Sequence, residues 1–203
     1  GLLYADGYNN QKYSVITLAL QEKDRDILLK LSDAVATNKP LGLIKKKVNS
    51  DIYCIKMVSK HMSNVLSELG CIQAKTFKIK YPTWLNPSLD RHFIRGYFDG
   101  DGCVSGALFS LCGTDSFLTT VQNKMIVTLS LTKTKFEKRH KDRNNNSTSL
   151  RYTGFHNLYT IYNWLYKDST IFMDRKKKKF EDMYETIDQV IKKRKNKWKL
   201  KAI

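Results

Sequence analysis

Asp6 and Asp101 are the residues whose type and placement offer chemistry. Each closes an apolar, helix-like run and is followed by glycine, in "GLLYADG" at 1–7 and in "FIRGYFDGDG" at 93–102. A carboxylate at a helix C-terminus sits in the negative end of the helix dipole, a cost of several tenths of about 1 kcal/mol. Packing two such ends together adds like-charge repulsion. Stability alone does not select that arrangement. A divalent cation between the two acids reverses the sign of the interaction, and carboxylate oxygens suit a hard ion such as Mg²⁺. The "DGDG" string also opens like a calcium-binding EF-hand loop. Counting from Asp99 puts Val104 where that loop needs glycine and Ser110 where it needs glutamate, so the EF-hand reading fails. The residue matching Asp99 in the first copy of the motif is Tyr4, so Asp99 has no counterpart carboxylate and reads as a solvated acid near a helix end.

The elements that must position the two acids follow from spacing. Gly96 and Gly100 lie four apart, as do Gly1 and Ala5. Small residues stacked on one helix face admit a second helix at close range. "YSVITLALQ" reads as a strand and "EKDRDILLKLSDAVA" as a helix. "LGLIKKKV" and "DIYCIKMVS" read as strands, and "KHMSNVLSELG" as a helix with Gly70 at its C-cap. The order then recurs. "RHFIRGYFDGDG" is helical, "CVSGALFSLCG" is strand-like, and "TDSFLTTVQNKM" is a helix capped by Thr114 or Asp115. "VTLSLTKTKFEKRH" and "TSLRYTG" read as strands, with helices over "HNLYTIYNWLY" and "STIFMDRKKKKFEDMYETIDQVIKK". "YPTWLNPSLD", with two of the three prolines, reads as a linker. The expected fold class is α+β, a tandem pseudo-two-fold repeat in which each half has an antiparallel sheet and helices and the motif helices pack at the centre. The halves are 1–80 and 91–203, joined by 81–90, with a basic C-terminal tail.

The 203 residues carry 36 Lys and Arg against 19 Asp and Glu, a formal charge of +17. That imbalance favours a polyanionic partner. An anionic membrane is the rival, but no apolar run approaches the roughly 20 residues of a span, and the start does not resemble a signal peptide. Four cysteines without a C-x-x-C pair argue against zinc and read as buried thiols in a reducing intracellular compartment. Lys133, Lys135 and Arg139 fall on one side of an alternating strand, as do Lys45 and Lys47. Such strands can present cations to DNA in the major groove. Their plain alternative is a solvated sheet face.

The two motifs resemble that of the LAGLIDADG homing endonucleases. "GLLYADG" matches the last seven letters of the motif and "IRGYFDGDG" matches all nine positions in character. The resemblance runs over nearly the whole chain and implies the single-chain, two-motif class, acting as a monomer. Since the first motif starts at residue 1, the upstream half of its helix is missing: either the chain is trimmed there or the first helix is short. The family cleaves both strands of a long DNA site, which implies double-stranded DNA as partner and Mg²⁺ or another divalent cation held by Asp6 and Asp101. The resemblance places Lys176, in "FMDRKKKKF", and Lys75, in "IQAKTF", near the scissile phosphates, and Gln21 as a residue positioning water. The plain alternative for a lysine in a run of four is a solvated helix face. Two other functions share this fold: a silent relative binding intron RNA as a splicing maturase, and a DNA-binding regulator. Self-splicing as an intein is not supported, because residue 1 is no nucleophile and no His-Asn pair ends the chain.

Overall fold

The computed structural model of the chain describes residues 1–46, 50–73, 78–138 and 148–199, with side chains described as far as Thr186. The first half runs α1 (Leu2–Ala5), β1 (Gly7–Asn10), β2 (Val15–Gln21), α2 (Arg25–Ala34), β3 (Gly42–Ile44), β4 (Ile52–Val58) and α3 (Lys60–Glu68). The second runs α4 (Asp90–Asp101), β5 (Gly102–Ser105), β6 (Leu108–Gly113), α5 (Asp115–Leu129), β7 (Glu137–Lys138), β8 (Thr148–Thr153), α6 (Phe155–Tyr166) and α7 (Asp174–Lys199). Each half holds a four-stranded antiparallel sheet, ordered β1-β2-β4-β3 and β5-β6-β8-β7. The two orders are the same, so the described fold is α+β with one topology used twice.

Alternation builds the sheets. In β2, Ile16, Leu18 and Leu20 are buried, Leu18 and Leu20 in one cluster with Ile27 and Leu28 of α2, while Ala19 and Gln21 face out. In β6, Phe109 and Leu111 turn inward against Phe117, Leu118 and Val121 of α5. Thr114 caps α5 by accepting from the Phe117 N–H at 3.3 Å. The cores exchange residues: Tyr4 of α1 packs with Phe93 in the second half, and Met173, just before α7, lies in the core of the first.

The structure adds one strand and corrects three expectations. The polar stretch "GYNN" is a strand, although its composition opposes one. Asn9 is buried and compensated, donating to Ser63 O at 2.8 Å and to Cys71 O at 3.2 Å while accepting from Ser63 Oγ at 2.6 Å. "CVSGALFSLCG" is two strands, folded back at Gly106, whose φ of +52° suits glycine. The strand expected from Val127 begins only at Glu137. The i, i+4 series Val121, Met125, Leu129 carries α5 onward, and Ser130 with φ +55° ends it. Leu131–Phe136 then has no regular structure, and is held by Gln122 Nε2 donating to Thr134 O at 2.9 Å. Lys133 and Lys135 are exposed on this irregular segment and do not share a strand face. Finally, Cys103 is exposed, against the expectation of buried thiols, and Cys112 is part-buried; none of the four cysteines is in a disulfide.

Candidate active site

The two motifs meet where α1 packs on α4. A Cβ at Gly96 would lie 2.8 Å from Leu2 N, and one at Gly100 would overlap the Ala5 Cβ and lie 2.9 Å from Asp6 Oδ2. The helices therefore touch backbone to backbone along the small residues that the spacing singled out. Asp6 ends α1, its N–H donating to Leu2 O at 2.9 Å, and the next residue opens β1. Asp101 is the last residue of α4, and the next residue, Gly102, opens β5. Both acids are exposed at the joined ends. Each following glycine folds against the residue four before it: a Cβ on Gly7 would lie 2.8 Å from Leu3 Cα, and one on Gly102 would overlap the Phe98 ring. Chain reversal at these ends fixes where the carboxylates emerge.

Lys176 lies at the same place, and it is not on a solvated face. Its side chain is 5% exposed, and its ammonium donates to Phe98 O and Gly100 O at 2.8 Å each. A cation on the last carbonyls of α4 complements the helix dipole. Burial pulls the Lys176 pKa down to about 8, while the nearby carboxylates of Asp99, Asp6 and Asp101 hold the charged form in place.

The reading of Asp99 as a solvated acid is overturned. It is 1% exposed; its Oδ2 accepts from the Met173 N–H at 3.1 Å and its Oδ1 from Tyr166 Oη at 3.4 Å. An acid on the end of α4 thus holds the N-terminus of α7, while a lysine of α7 holds the C-terminus of α4. Burial raises the Asp99 pKa to about 6, opposed by the Met173 N–H and by Lys176 and Arg95. Arg95, also buried, donates to Ile171 O at 3.2 Å and Leu165 O at 3.0 Å, and so fixes the segment leading into α7. Tyr97 donates to Cys112 O at 2.9 Å. Burial, and next the charge of Asp101, push its phenol far above the usual range.

Gln21 ends β2 on the exposed face, three residues beyond Leu18, the partner of Gly7. The same step beyond Leu111, the partner of Gly102, reaches Thr114. That hydroxyl is committed to capping α5 and to donating to Ile79 O at 2.7 Å. The halves therefore differ at this position. Lys45 is exposed just past β3, while Lys47, Lys75 and Arg139 lie outside the described residues. Sequence reasoning missed a symmetric pair of cations. Lys56 stands opposite Thr17 and Arg151 opposite Ser110, equivalent places on the outer faces of the two sheets. Arg151 pairs there with Glu137. The alternation of "YCIKMV" and "TSLRYT" was the available signal, once the register is known.

Among the described residues no group of three or more His, Cys, Asp or Glu side chains is placed to share a metal ion. The donor set at the joined helix ends is two carboxylates. That suits Mg²⁺, which commonly takes one or two carboxylates and completes its shell with water and phosphate oxygens. Among the described residues no helix is long and apolar enough to cross a membrane.

No protein-family profile and no curated protein matches the sequence. Solved structures do match the fold. The I-LtrWI LAGLIDADG homing endonuclease bound to target DNA superposes with a TM-score of 0.59 at 12% identity, over 95% of this chain and 89% of that one. The homing endonuclease I-WcaI bound to its DNA recognition sequence gives 0.58 at 13% identity, over 86% and 81%. Full-length DUF199/WhiA from Thermatoga maritima gives 0.57 at 13% identity, over 97% of this chain. The chain spans 63% of the length of that WhiA protein. The fold is that of the LAGLIDADG homing endonucleases.

Proposed function

We propose that this protein is a divalent-metal-dependent endonuclease that cleaves both strands of a specific double-stranded DNA site. The observation that carries the reading is the joining of α1 and α4 at Gly100, which puts Asp6 and Asp101 side by side on an exposed edge with the Lys176 ammonium beneath them. A structural role does not account for two acids at two helix C-termini. The fold likeness to endonucleases on DNA and the charge of +17 support the substrate.

Asp6 and Asp101 would hold Mg²⁺ or a similar ion. Such an ion, when bound, supplies an activated water and neutralises charge on the phosphate. Lys176 keeps a positive charge behind the carboxylates, so that the site is less repulsive to a phosphate than two bare acids. Gln21 offers an exposed amide to orient water in the first half, a function Thr114 does not duplicate. Lys45, Lys56, Lys133 and Lys135 bind the DNA backbone from the outer side. Both acids lie on one chain, so the active form is a monomer, and the mobile-intron or intein role is proposed on resemblance.

The likeness to WhiA over 97% of the chain supports a second reading, in which the same fold binds nucleic acid, DNA or intron RNA, without cutting it. One experiment separates the two. The protein is incubated with a randomised duplex library and Mg²⁺, and the cut ends are sequenced. Cleavage at a defined site that disappears in Asp6→Asn and in Asp101→Asn, with DNA binding and Tm retained, supports the endonuclease. Site-selective binding without ends supports the second reading.

A further inference from the structure

The first turn of α7 bridges the two halves by a route separate from the α1–α4 contact. Arg175 forks the carboxylate of Asp24, with Nε at 2.8 Å from Oδ1 and Nη2 at 2.9 Å from Oδ2. Asp24 is 7% exposed and follows Gln21 by three residues, in the turn between β2 and α2. The residue after Arg175 is Lys176, whose ammonium grips the carbonyls of Phe98 and Gly100 next to Asp101. Beside them Asp174 pairs with Lys30 of α2 at 3.0 Å. A continuous path of charge-assisted contacts thus runs from the Gln21 end of the first sheet to the Asp101 end of α4.

The α1–α4 contact runs along the small residues Gly96, Gly100 and Ala5, which set how closely the two helices approach. A bidentate arginine–carboxylate fork defines both distance and orientation, which a lysine or a single hydrogen bond does not. We propose that the Asp24–Arg175 fork is a positioning element that sets the placement of Asp101 against Asp6 and Gln21, and so the grip of the two acids on a divalent cation. The proposal rests on the reading of Asp6 and Asp101 as metal carboxylates. Asp24 and Arg175 act through Lys176 and the end of α4, without touching metal or DNA themselves.

The test uses the full chain without DNA and Tb³⁺ alone as probe, followed by luminescence sensitised through nearby tyrosine. Variants are Asp24→Asn, Arg175→Met and the double substitution, with Tm measured on each. Loss of the supports that orient metal ligands commonly weakens affinity about 10-fold or more, so each single variant should raise the Tb³⁺ midpoint by about 10-fold. The double variant should raise it no further, because either change alone breaks the fork. A lowered Tm with an unchanged Tb³⁺ midpoint overturns the proposal, as does full additivity. Should a fork variant fail to fold, Lys30→Gln loosens the same turn through the exposed pair. It should raise the midpoint by about 2-fold or more, and an unchanged midpoint again overturns the proposal. Saturable Tb³⁺ binding that is lost in Asp6→Asn and in Asp101→Asn establishes the footing. Its absence in the unsubstituted protein overturns the metal reading itself, and the positioning role with it.

Discussion

Gly100→Ala tests the joined helix ends directly. The added methyl would overlap the Cβ of Ala5 and come within 2.9 Å of Asp6 Oδ2, where ordinary contact is 3.4–4 Å. The Asp6 carboxylate must therefore retreat by about 0.5 Å or more, and the end of α1 by a larger step, because its obstacle is a Cβ and not a flexible tip. Overpacking of this kind costs about 1–3 kcal/mol, or a fall in Tm of roughly 3–10 °C for a chain of this size. A displacement of about 1 Å between groups acting together can cost about 100-fold in rate, so cleavage should fall by at least about 10-fold. Gly106→Ala is the matched control. Nothing lies within 4 Å of its Cβ, yet its φ is +52°, so it loses about 1–2 kcal/mol through backbone strain at a distance from the acids. The assay is single-turnover cutting of the selected DNA site at saturating enzyme, with Tm by calorimetry. The expected outcome is two destabilised proteins, of which only Gly100→Ala cuts slowly. Normal cutting by Gly100→Ala, or equal slowing in both, refutes the claim that this contact sets the acids.

Three further outcomes follow. Lys176→Met keeps the stem over the Phe98 ring but loses the ammonium; the lost charge-assisted bonds and the relieved burial penalty are each about 1–3 kcal/mol. Tm should therefore shift by only a few degrees, roughly 3 °C or less, while cutting falls at least about 10-fold; intact cutting would remove Lys176 from the chemistry. Asp99 has a folded pKa raised from 3.8 to about 6, so the folded state holds the extra proton between those values. Its stability contribution is complete below pH 3.8 and is lost as pH rises through 6. The Tm of Asp99→Asn relative to the unsubstituted protein should accordingly climb from pH 4 to pH 7, and a difference that stays constant contradicts the burial argument. DNA affinity should fall with salt at a log–log slope of roughly −7 for about eight phosphate contacts; a slope near −1 in filter binding would mean that most of the +17 charge faces away from DNA.

The centre of this protein was legible because its signals are local and repeated. Gly96, Gly100 and Ala5 lack the side chains that would hold two helices apart, and each acid stands between a small residue and a glycine, as Ala5-Asp6-Gly7 and Gly100-Asp101-Gly102. The margins were less legible because tertiary partners decide them. Nothing in "GYNN" announces a strand until Ser63 and Cys71 supply partners for Asn9. Asp99 and Asp101 look alike in the chain, yet one is buried against Met173, 74 residues away, and the other is exposed. Lys176 was found by its neighbours in "FMDRKKKKF", but its carbonyl partners, 76 and 78 residues distant, are a fact of packing. Lys133 and Lys135 were assigned to a strand that tertiary contacts replaced with the tail of a helix and an irregular segment.

The exchange of Tyr4 and Met173 between the two cores has a consequence for birth on the ribosome. The chain emerges from its N-terminus at about 5–20 residues per second. The first sheet is complete in sequence once Val58 has appeared, yet its core lacks Met173, and Asp24 lacks Arg175, until more than a hundred further residues follow. For that interval, about 6–23 s at those rates, the first half has an open apolar seam and an acid without its cation. Its final docking therefore waits on a segment near the far end of the sequence, so the nascent first half should be a substrate for holding chaperones, and truncation before Ile171 should leave it protease-sensitive even though every strand of its own sheet is present.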